Sequence, residues 1–314
     1  MQDPKHHVLV VNEFHPETVA KLDARYQTHH LHNLDSNEKT KLIASLEGKC
    51  KAAASASWMC DSSIYSLGSL QLISAFGVGV DGIDFDATGK AGIKVTNTPD
   101  VLNDAVADLA IALILATSRN ITNADKFARD GQWSKSAFPF GMSLAGKTLG
   151  IIGLGRIGEE IAHRALPFKL DIAYYNRREK KLPYNYHSSI QELASHSDIL
   201  LCMLPGGNET NNLINAAVFE NLGPDGIFIN VGRGNSVDEK ALAQALRNGT
   251  IKAAGLDVYK DEPNIPSSLT SLDNIVLLPH IGSATIETRR EMGNVVVRNL
   301  EAFFAGMPLV TEVD

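Results

Sequence analysis

At 314 residues the chain exceeds what one hydrophobic core usually needs, so two domains are expected, and 44% hydrophobic with 21% charged residues excludes a disordered or low-complexity protein. The 29 Lys and Arg against 36 Asp and Glu leave a net charge of −7, both signs mixed, which excludes a basic footprint for nucleic acid or anionic lipid. Cys50, Cys60 and Cys202 are odd in number and lack the close pairs of a zinc knuckle or redox motif, so no metal is expected and a cytoplasmic, reducing compartment is.

In chain order, Met1 to Lys5 lead into Val8 to Val11, an apolar run too short for a signal-peptide core. Strand-like runs follow at Ala52 to Ala56, Leu72 to Phe76 and Lys94 to Thr96, separated by amphipathic or turn-rich stretches, as repeated βαβ units require. Asp104 to Arg119 has an almost wholly apolar centre and reads as a buried helix, with Asn103 or Asp104 as its cap. Its apolar run, Leu109 to Ala116, is too short to span a bilayer. A second series runs Thr148 to Ile152, Asp171 to Tyr175, Ile199 to Leu204, Gly226 to Val231, Gly255 to Val258 and Ile275 to Leu278. These continuous apolar runs suit strands buried on both faces of a parallel sheet. Glu287 to Ala305 reads as a last long helix, after which Pro308 to Val313 is expected to return to the first sheet.

Between the first strand and first helix of the second series stand Gly153, Gly155 and Gly158. In that order the first permits a tight turn, the second lets backbone approach a pyrophosphate, and the third allows close helix–strand packing. The helix N-terminus then faces the phosphates, so this segment predicts a bound dinucleotide; a turn packed for stability alone is the alternative. The next strand ends in Asn176, Arg177 and Arg178, where an NAD site carries an acid for the adenosine ribose. Two guanidinium groups suit a 2′-phosphate, so NADPH is expected over NADH, unless these arginines are only solvated loop charges.

Further motifs stand in order: Gly77-Val78-Gly79-Val80-Asp81, Asn97-Thr98-Pro99-Asp100, Gly232-Arg233-Gly234, Asp257 with Glu262-Pro263, and Pro279-His280-Ile281-Gly282-Ser283. Together they closely resemble the D-isomer-specific 2-hydroxyacid dehydrogenase family over nearly the whole chain. Within it the sequence is most similar to the NADPH-linked glyoxylate and hydroxypyruvate reductases, a branch that includes 2-ketogluconate reductases. The resemblance implies an α/β protein of two doubly wound parallel-sheet domains. A Rossmann-type cofactor domain, 101–285, would be inserted in a flavodoxin-like substrate domain, 1–100 and 286–314.

Reduction of a 2-oxo acid asks for a cation to hold the carboxylate beside the ketone, an acid to protonate the forming alkoxide, and a group that keeps that acid charged. The resemblance assigns these roles to Arg233, His280 and Glu262, gives the substrate carboxylate to the backbone of Val78 and Gly79 as well as to Arg233, and counts His280 among the substrate-binding residues as the proton donor. Along the cofactor it places Val106, Gly153, Leu154, Gly155, Arg156, Ile157, Gly158, Asn176, Arg177, Arg178, Leu204, Pro205 and Thr210, then Val231, Gly232, Arg233, Asp257, His280 and Gly282. Pro205-Gly206-Gly207-Asn208-Glu209-Thr210 departs from the family's Thr-Pro-Glu-Thr pattern, although Thr210 matches. Trp58 and Met59 fall either beside the pocket or in core packing, and Trp133 either reaches a dimer partner or anchors its own loop.

The resemblance further implies a D-configured product and a homodimer built around the buried helix; the charge balance leaves no nucleic-acid or membrane partner expected. Two rivals share the fold: a formate dehydrogenase-like enzyme, which has no need of the Glu–His pair, and a regulatory protein that senses dinucleotide. A phosphoglycerate dehydrogenase is disfavoured because the chain stops at Asp314 without a further domain.

Overall fold

The computed structural model describes residues 5–313; the leading Met1 to Pro4 and the terminal Asp314 invoked above lie outside the described residues. Two compact units form, one from the chain up to Leu102 and from Thr285 onward, the other from Asn103–Ala284.

The first unit alternates β1 (His7–Val10), α1 (Pro16–Arg25), β2 (Gln27–His30), α2 (Ser36–Ser45), β3 (Cys50–Ala56), β4 (Leu72–Phe76), α3 (Phe85–Ala91) and β5 (Lys94–Thr96). All pairs are parallel in the order β2-β1-β3-β4-β5, the flavodoxin-like arrangement. Because side chains alternate across a strand, Leu9, Ala53, Ile73 and Val95 share one face, where Ile43 and Leu46 from the α2 region cover them. β2 has the sequence Gln-Thr-His-His and sits at the sheet edge, where one flank stays open. Its lack of an apolar run hid it from hydrophobic patterning.

The second unit opens with α4 (Asn103–Ser118) and α5 (Ile121–Arg129). Asn103 and Asp104 lie within α4 rather than at its cap, and Asp104 pairs with Arg164 instead. Asn120, at φ 51°, ends the run and turns the chain by 60°. Then come β6 (Thr148–Ile152), α6 (Arg156–Ala165), β7 (Asp171–Tyr175), β8 (Asn185–Tyr186), α7 (Ile190–Ser195), β9 (Ile199–Cys202) and α8 (Ala216–Leu222). β10 (Ile227–Asn230), α9 (Glu239–Arg247), β11 (Ala253–Leu256), α10 (Ser267–Thr270) and β12 (Ile275–Leu277) complete it. The parallel sheet runs β12-β11-β10-β9-β6-β7-β8, the doubly wound Rossmann order with a strand added.

Alternation explains why its strands read as unbroken apolar runs. Leu149, Ile151, Leu201 and Ile229 meet α4 and α6, while Ile152, Leu200, Phe228 and Leu256 meet α7, α8 and α9. Each such side chain contributes about 1.5–3 kcal/mol by leaving water. α4 approaches the sheet closely at Gly255, where a Cβ would stand 2.8 Å from Leu113 Cγ. Gly255→Ala is therefore expected to cost about 1–3 kcal/mol, read as a lower midpoint in urea unfolding.

α11 (Ile286–Phe304) returns to the first unit, where Ser74 Oγ of β4 donates to Val296 O at 3.1 Å. The segment after it rejoins the first sheet by one antiparallel bridge, Thr96 to Glu312, and Val313 N donates to Val95 O at 2.9 Å. Among the described residues no single helix is long and apolar enough to cross a membrane.

Candidate active site

A parallel sheet sends every strand's C-terminal end to one edge, so the loops after β6, β9, β10, β11 and β12 of the second unit cluster there. β6 and β9 are neighbours although α6, β7 and α7 intervene in sequence, which makes this the point where the winding reverses. Gly153 occupies φ +94°, and a Cβ on it would lie 2.8 Å from Met203 O, so the turn after β6 tolerates only glycine. A Cβ on Gly158 would meet Gly153 O at 2.7 Å, which fixes the approach of α6. Gly155 differs: a Cβ there would meet nothing within 4 Å. It caps α6 without a side-chain hydrogen bond to the first amides, so the protein leaves space beside the donors of a helix N-terminus. These features fit a dinucleotide pyrophosphate.

Asn176 stands where an acid would meet the ribose, but its side chain closes the glycine turn. Its Oδ1 accepts from Leu154 N at 2.7 Å, and its Nδ2 donates to Leu154 O at 3.3 Å. Arg177 pairs with Glu209 at 2.9 Å, and both side chains are more than four-fifths exposed. Sequence reading missed that acid, which the unusual Gly-Gly-Asn-Glu-Thr turn supplies. Thr210 Oγ1 donates to Pro205 O at 2.8 Å and so closes the same loop, while Leu204 O lies 2.7 Å from where a Cβ on Gly232 would stand. Ile157 follows Arg156 in the first turn of α6.

After β10, Val231 is buried and Asn230 shapes the turn, its Oδ1 accepting from Gly232 N at 3.0 Å and its Nδ2 donating to Arg233 O at 3.1 Å. Gly234 lies so close to the Tyr259 backbone that any side chain would displace the loop carrying Glu262. Glu262 Oε1 accepts from Tyr259 N at 2.9 Å, and Oε2 accepts from His280 Nδ1 at 2.6 Å. Burial alone would push the Glu262 carboxyl up. The His280 hydrogen bond, the Tyr259 amide and the charges of His280 and Arg233 outweigh it and hold the group below the usual Glu range.

His280 takes φ +52°, which a histidine adopts more readily than a β-branched residue. Asp257 secures that conformation, its two oxygens accepting from Ile281 N and Gly282 N, each at 2.8 Å. It is 1% exposed; burial pushes its carboxyl up, and the two amide bonds only partly offset this. A Cβ on Gly282 would lie 3.2 Å from Asp257 Oδ2 and 3.4 Å from Val106 Cγ2, so Val106, Asp257 and Gly282 form one packed group. The structure thus brings together residues that sequence order alone could only name. Asp257 faces backbone amides with both oxygens.

In the first unit, the loop after β4 carries Val78 and Gly79. Gly77, at φ +136°, makes the turn, its N–H donating to Thr98 Oγ1 at 2.9 Å, and Asn97 Nδ2 donates to Val78 O at 2.9 Å. The Asn97-Thr98-Pro99 motif therefore holds the Gly77-Val78-Gly79 loop. Trp58 and Met59 are partly exposed after β3, and Trp133 is 77% exposed in a short turn after α5. Among the described residues no group of three or more His, Cys, Asp or Glu is placed to hold a metal ion.

Residues 111–282 match the family model for the D-isomer-specific 2-hydroxyacid dehydrogenase NAD-binding domain. The chain is 49% identical to hydroxyphenylpyruvate reductase of Plectranthus scutellarioides, over 80% of both proteins. It is 44% identical to glyoxylate/hydroxypyruvate reductase A HPR2 of Arabidopsis thaliana, over 86% of this chain and 85% of that one. Among solved structures, the NADPH-dependent glyoxylate/hydroxypyruvate reductase of Sinorhizobium meliloti, in complex with NADP and malonate, superposes with a TM-score of 0.92. It shares 40% identity and covers 98% of this chain and 97% of its own.

Proposed function

Because the chain belongs to the D-isomer-specific 2-hydroxyacid dehydrogenase family, we propose that it is an NADPH-dependent reductase of small 2-oxo acids, forming 2-hydroxy acids from glyoxylate, hydroxypyruvate or 2-ketogluconate, with the D configuration where C2 becomes a stereocentre. The observation that carries this reading is the His280 Nδ1 to Glu262 Oε2 bond of 2.6 Å. A carboxylate on Nδ1 fixes the ring's orientation and directs Nε2 away, as proton donation to a forming alkoxide requires. A formate dehydrogenase has no oxygen to protonate, so the pair also weighs against that reaction.

NADPH, when bound, supplies the hydride to C2 of the oxo acid. The amides opening α6 and the bare Gly155 hold the pyrophosphate. Arg177 and Arg178 serve the 2′-phosphate. Arg233 grips the carboxylate and polarises the carbonyl through its guanidinium. His280 delivers the proton to oxygen, Glu262 holds that ring, and Asp257 holds the backbone beyond it. Val78 and Gly79 offer the substrate carboxylate the backbone of their loop. A homodimer in the cytoplasm, without nucleic-acid or membrane partners, completes the proposal. A gel-filtration mass of one chain would remove the dimer.

One assay series tests the reading: NADPH oxidation with glyoxylate, hydroxypyruvate, 2-ketogluconate, pyruvate and phenylpyruvate, repeated with NADH. Turnover with NADPH and a higher kcat/KM than with NADH is expected. Dinucleotide binding without turnover of any acid would leave a sensor, and equal use of NADH would overturn the cofactor assignment.

Glu209 enters here with an opposing charge. A 2′-phosphate must displace its carboxylate from Arg177 or share the guanidinium with it, and exposed pairs of this kind are weak. Glu209→Gln is expected to lower KM for NADPH about two- to fivefold. NADH has no 2′-phosphate, so its KM should move much less, which side-by-side steady-state kinetics will show.

A further inference from the structure

Three loops of the second unit, those carrying Arg233, Glu262 and His280, meet on Tyr259. This residue follows β11 and is 5% exposed, its ring packed in the core on the face that α7, α8 and α9 cover. The Arg233 loop lies against its backbone, where a Cβ on Gly234 would stand 1.8 Å from the Tyr259 carbonyl carbon. Its N–H donates to Glu262 Oε1 at 2.9 Å, and the next amide, Lys260 N, donates to Glu239 Oε1 of α9 at 2.8 Å. The loop after β11 is thereby fixed both to its own glutamate and to a neighbouring helix.

Those backbone contacts do not need a tyrosine, but the hydroxyl does. Tyr259 Oη stands 2.9 Å from Leu278 O and 3.4 Å from Leu256 O. A phenol has one proton to give, and Leu256 O already accepts from Leu278 N at 2.8 Å, so the proton goes to Leu278 O. Burial and the nearby carboxylates of Asp257, Glu262 and Glu239 push the phenol pKa up by more than the bond to Leu278 O lowers it, which keeps the group a donor. Leu278 follows β12 and precedes Pro279-His280. His280 takes φ +52°, a backbone conformation that persists in a non-glycine residue only where the surroundings hold it. Asp257 holds the chain beyond it, at the amides of Ile281 and Gly282. Tyr259 holds the chain before it, at Leu278 O.

We propose that Tyr259 is a positioning residue for the proton transfer. Its hydroxyl anchors the chain ahead of His280 while its amide holds Glu262, so one residue sets the spacing of the pair whose Nδ1 to Oε2 distance is 2.6 Å. With the ring so placed, Nε2 keeps a fixed aim at the forming alkoxide, and a general acid loses much of its effect when displaced by a fraction of a hydrogen-bond length. Tyr259 acts through the His280–Glu262 pair and transfers no proton itself. A phenol that had merely found a partner in the core would contribute to stability alone. The inference rests on the reductase reading and adds to it the residue that aligns the acid.

The test is Tyr259→Phe, which keeps the ring in the core and the amide on Glu262 and removes only the bond to Leu278 O. Single-turnover oxidation of bound NADPH, with the 2-oxo acid that wild type turns over fastest, gives a rate constant that does not depend on how much enzyme is folded. In Tyr259→Phe it should fall about tenfold, while the steady-state KM for the acid and for NADPH stay within about twofold. The same substitution placed in His280→Asn should lower the remaining rate by less than about twofold, because a residue that acts through the imidazole then has nothing to position. A purely structural role would move the urea midpoint and leave the rate constant as it was. A rate within about twofold of wild type overturns the proposal, and so does an equal loss in both backgrounds. In either case the reductase reading stands, since wild type has turned over. If no 2-oxo acid oxidises NADPH, the reductase reading fails and this one with it.

Discussion

His280→Asn is expected to lower kcat about 10²–10⁴-fold, the range for removing a positioned general acid, with a much smaller change in KM for NADPH. Asn keeps a polar side chain of similar reach but cannot exchange a proton near neutral pH. Glu262→Gln should reach part of that loss, because a neutral amide no longer compensates a charged ring and the 2.6 Å bond to Nδ1 weakens. The same variant has a signature in stability. The Glu262 carboxyl is held below its usual range, so its contribution is complete above the ordinary Glu value of about 4.3 and is lost only as pH falls through the depressed native value. Wild type should therefore show a steeper acid-side fall in unfolding free energy than Glu262→Gln, in which the other lowered carboxylates, such as Asp61 and Glu291, still contribute. Urea unfolding across the acid range measures it. If His280→Asn turns over within about threefold of wild type, the proton is delivered by another group.

Arg233→Ala is expected to lower kcat/KM about 10²–10³-fold, since a donor is lost both from the substrate carboxylate and from the oxygen on which charge develops. Arg233→Lys should recover little of this. A point charge on a flexible stem does not reproduce two fixed parallel N–H donors, so the ammonium restores attraction without orientation. The backbone at Arg233 is set separately by Asn230 and by Ser236 Oγ, which donates to Arg233 O at 2.6 Å, so either variant should keep the turn and the fold. Single-turnover kinetics with saturating NADPH separates weaker binding from slower chemistry. Equal kcat in wild type and Arg233→Ala, with only KM raised, would confine this residue to binding.

How far the chain could be read in advance differed between elements for identifiable reasons. The strands β3, β4, β6, β7, β9 and β10 are covered on both sides, and the demand for apolar residues at successive positions wrote them plainly into the sequence. β2 and β8 are edge strands, and β8 has only two residues, so their pairing depends on a neighbour's free backbone more than on their own side chains. The break at Asn120 follows from one left-handed residue, which pattern alone does not announce.

The sequence by itself determined the chemistry on offer. It supplied a glycine-rich turn between a strand and a helix, two arginines in place of an acid, and an arginine, a glutamate and a histidine after separate strands. These are properties of residue type and local spacing, and local physics suffices for them. Tertiary structure alone decided which groups meet: Glu262 with His280 across 18 positions, Asp257 with the amides at 281 and 282. It likewise joined Arg177 to Glu209 across 32 positions, and Arg289 to the aromatic rings of Trp58 and Phe76. Such pairings are set by the order in which parallel strands are laid side by side, since that order brings the ends of distant segments to one edge of a sheet.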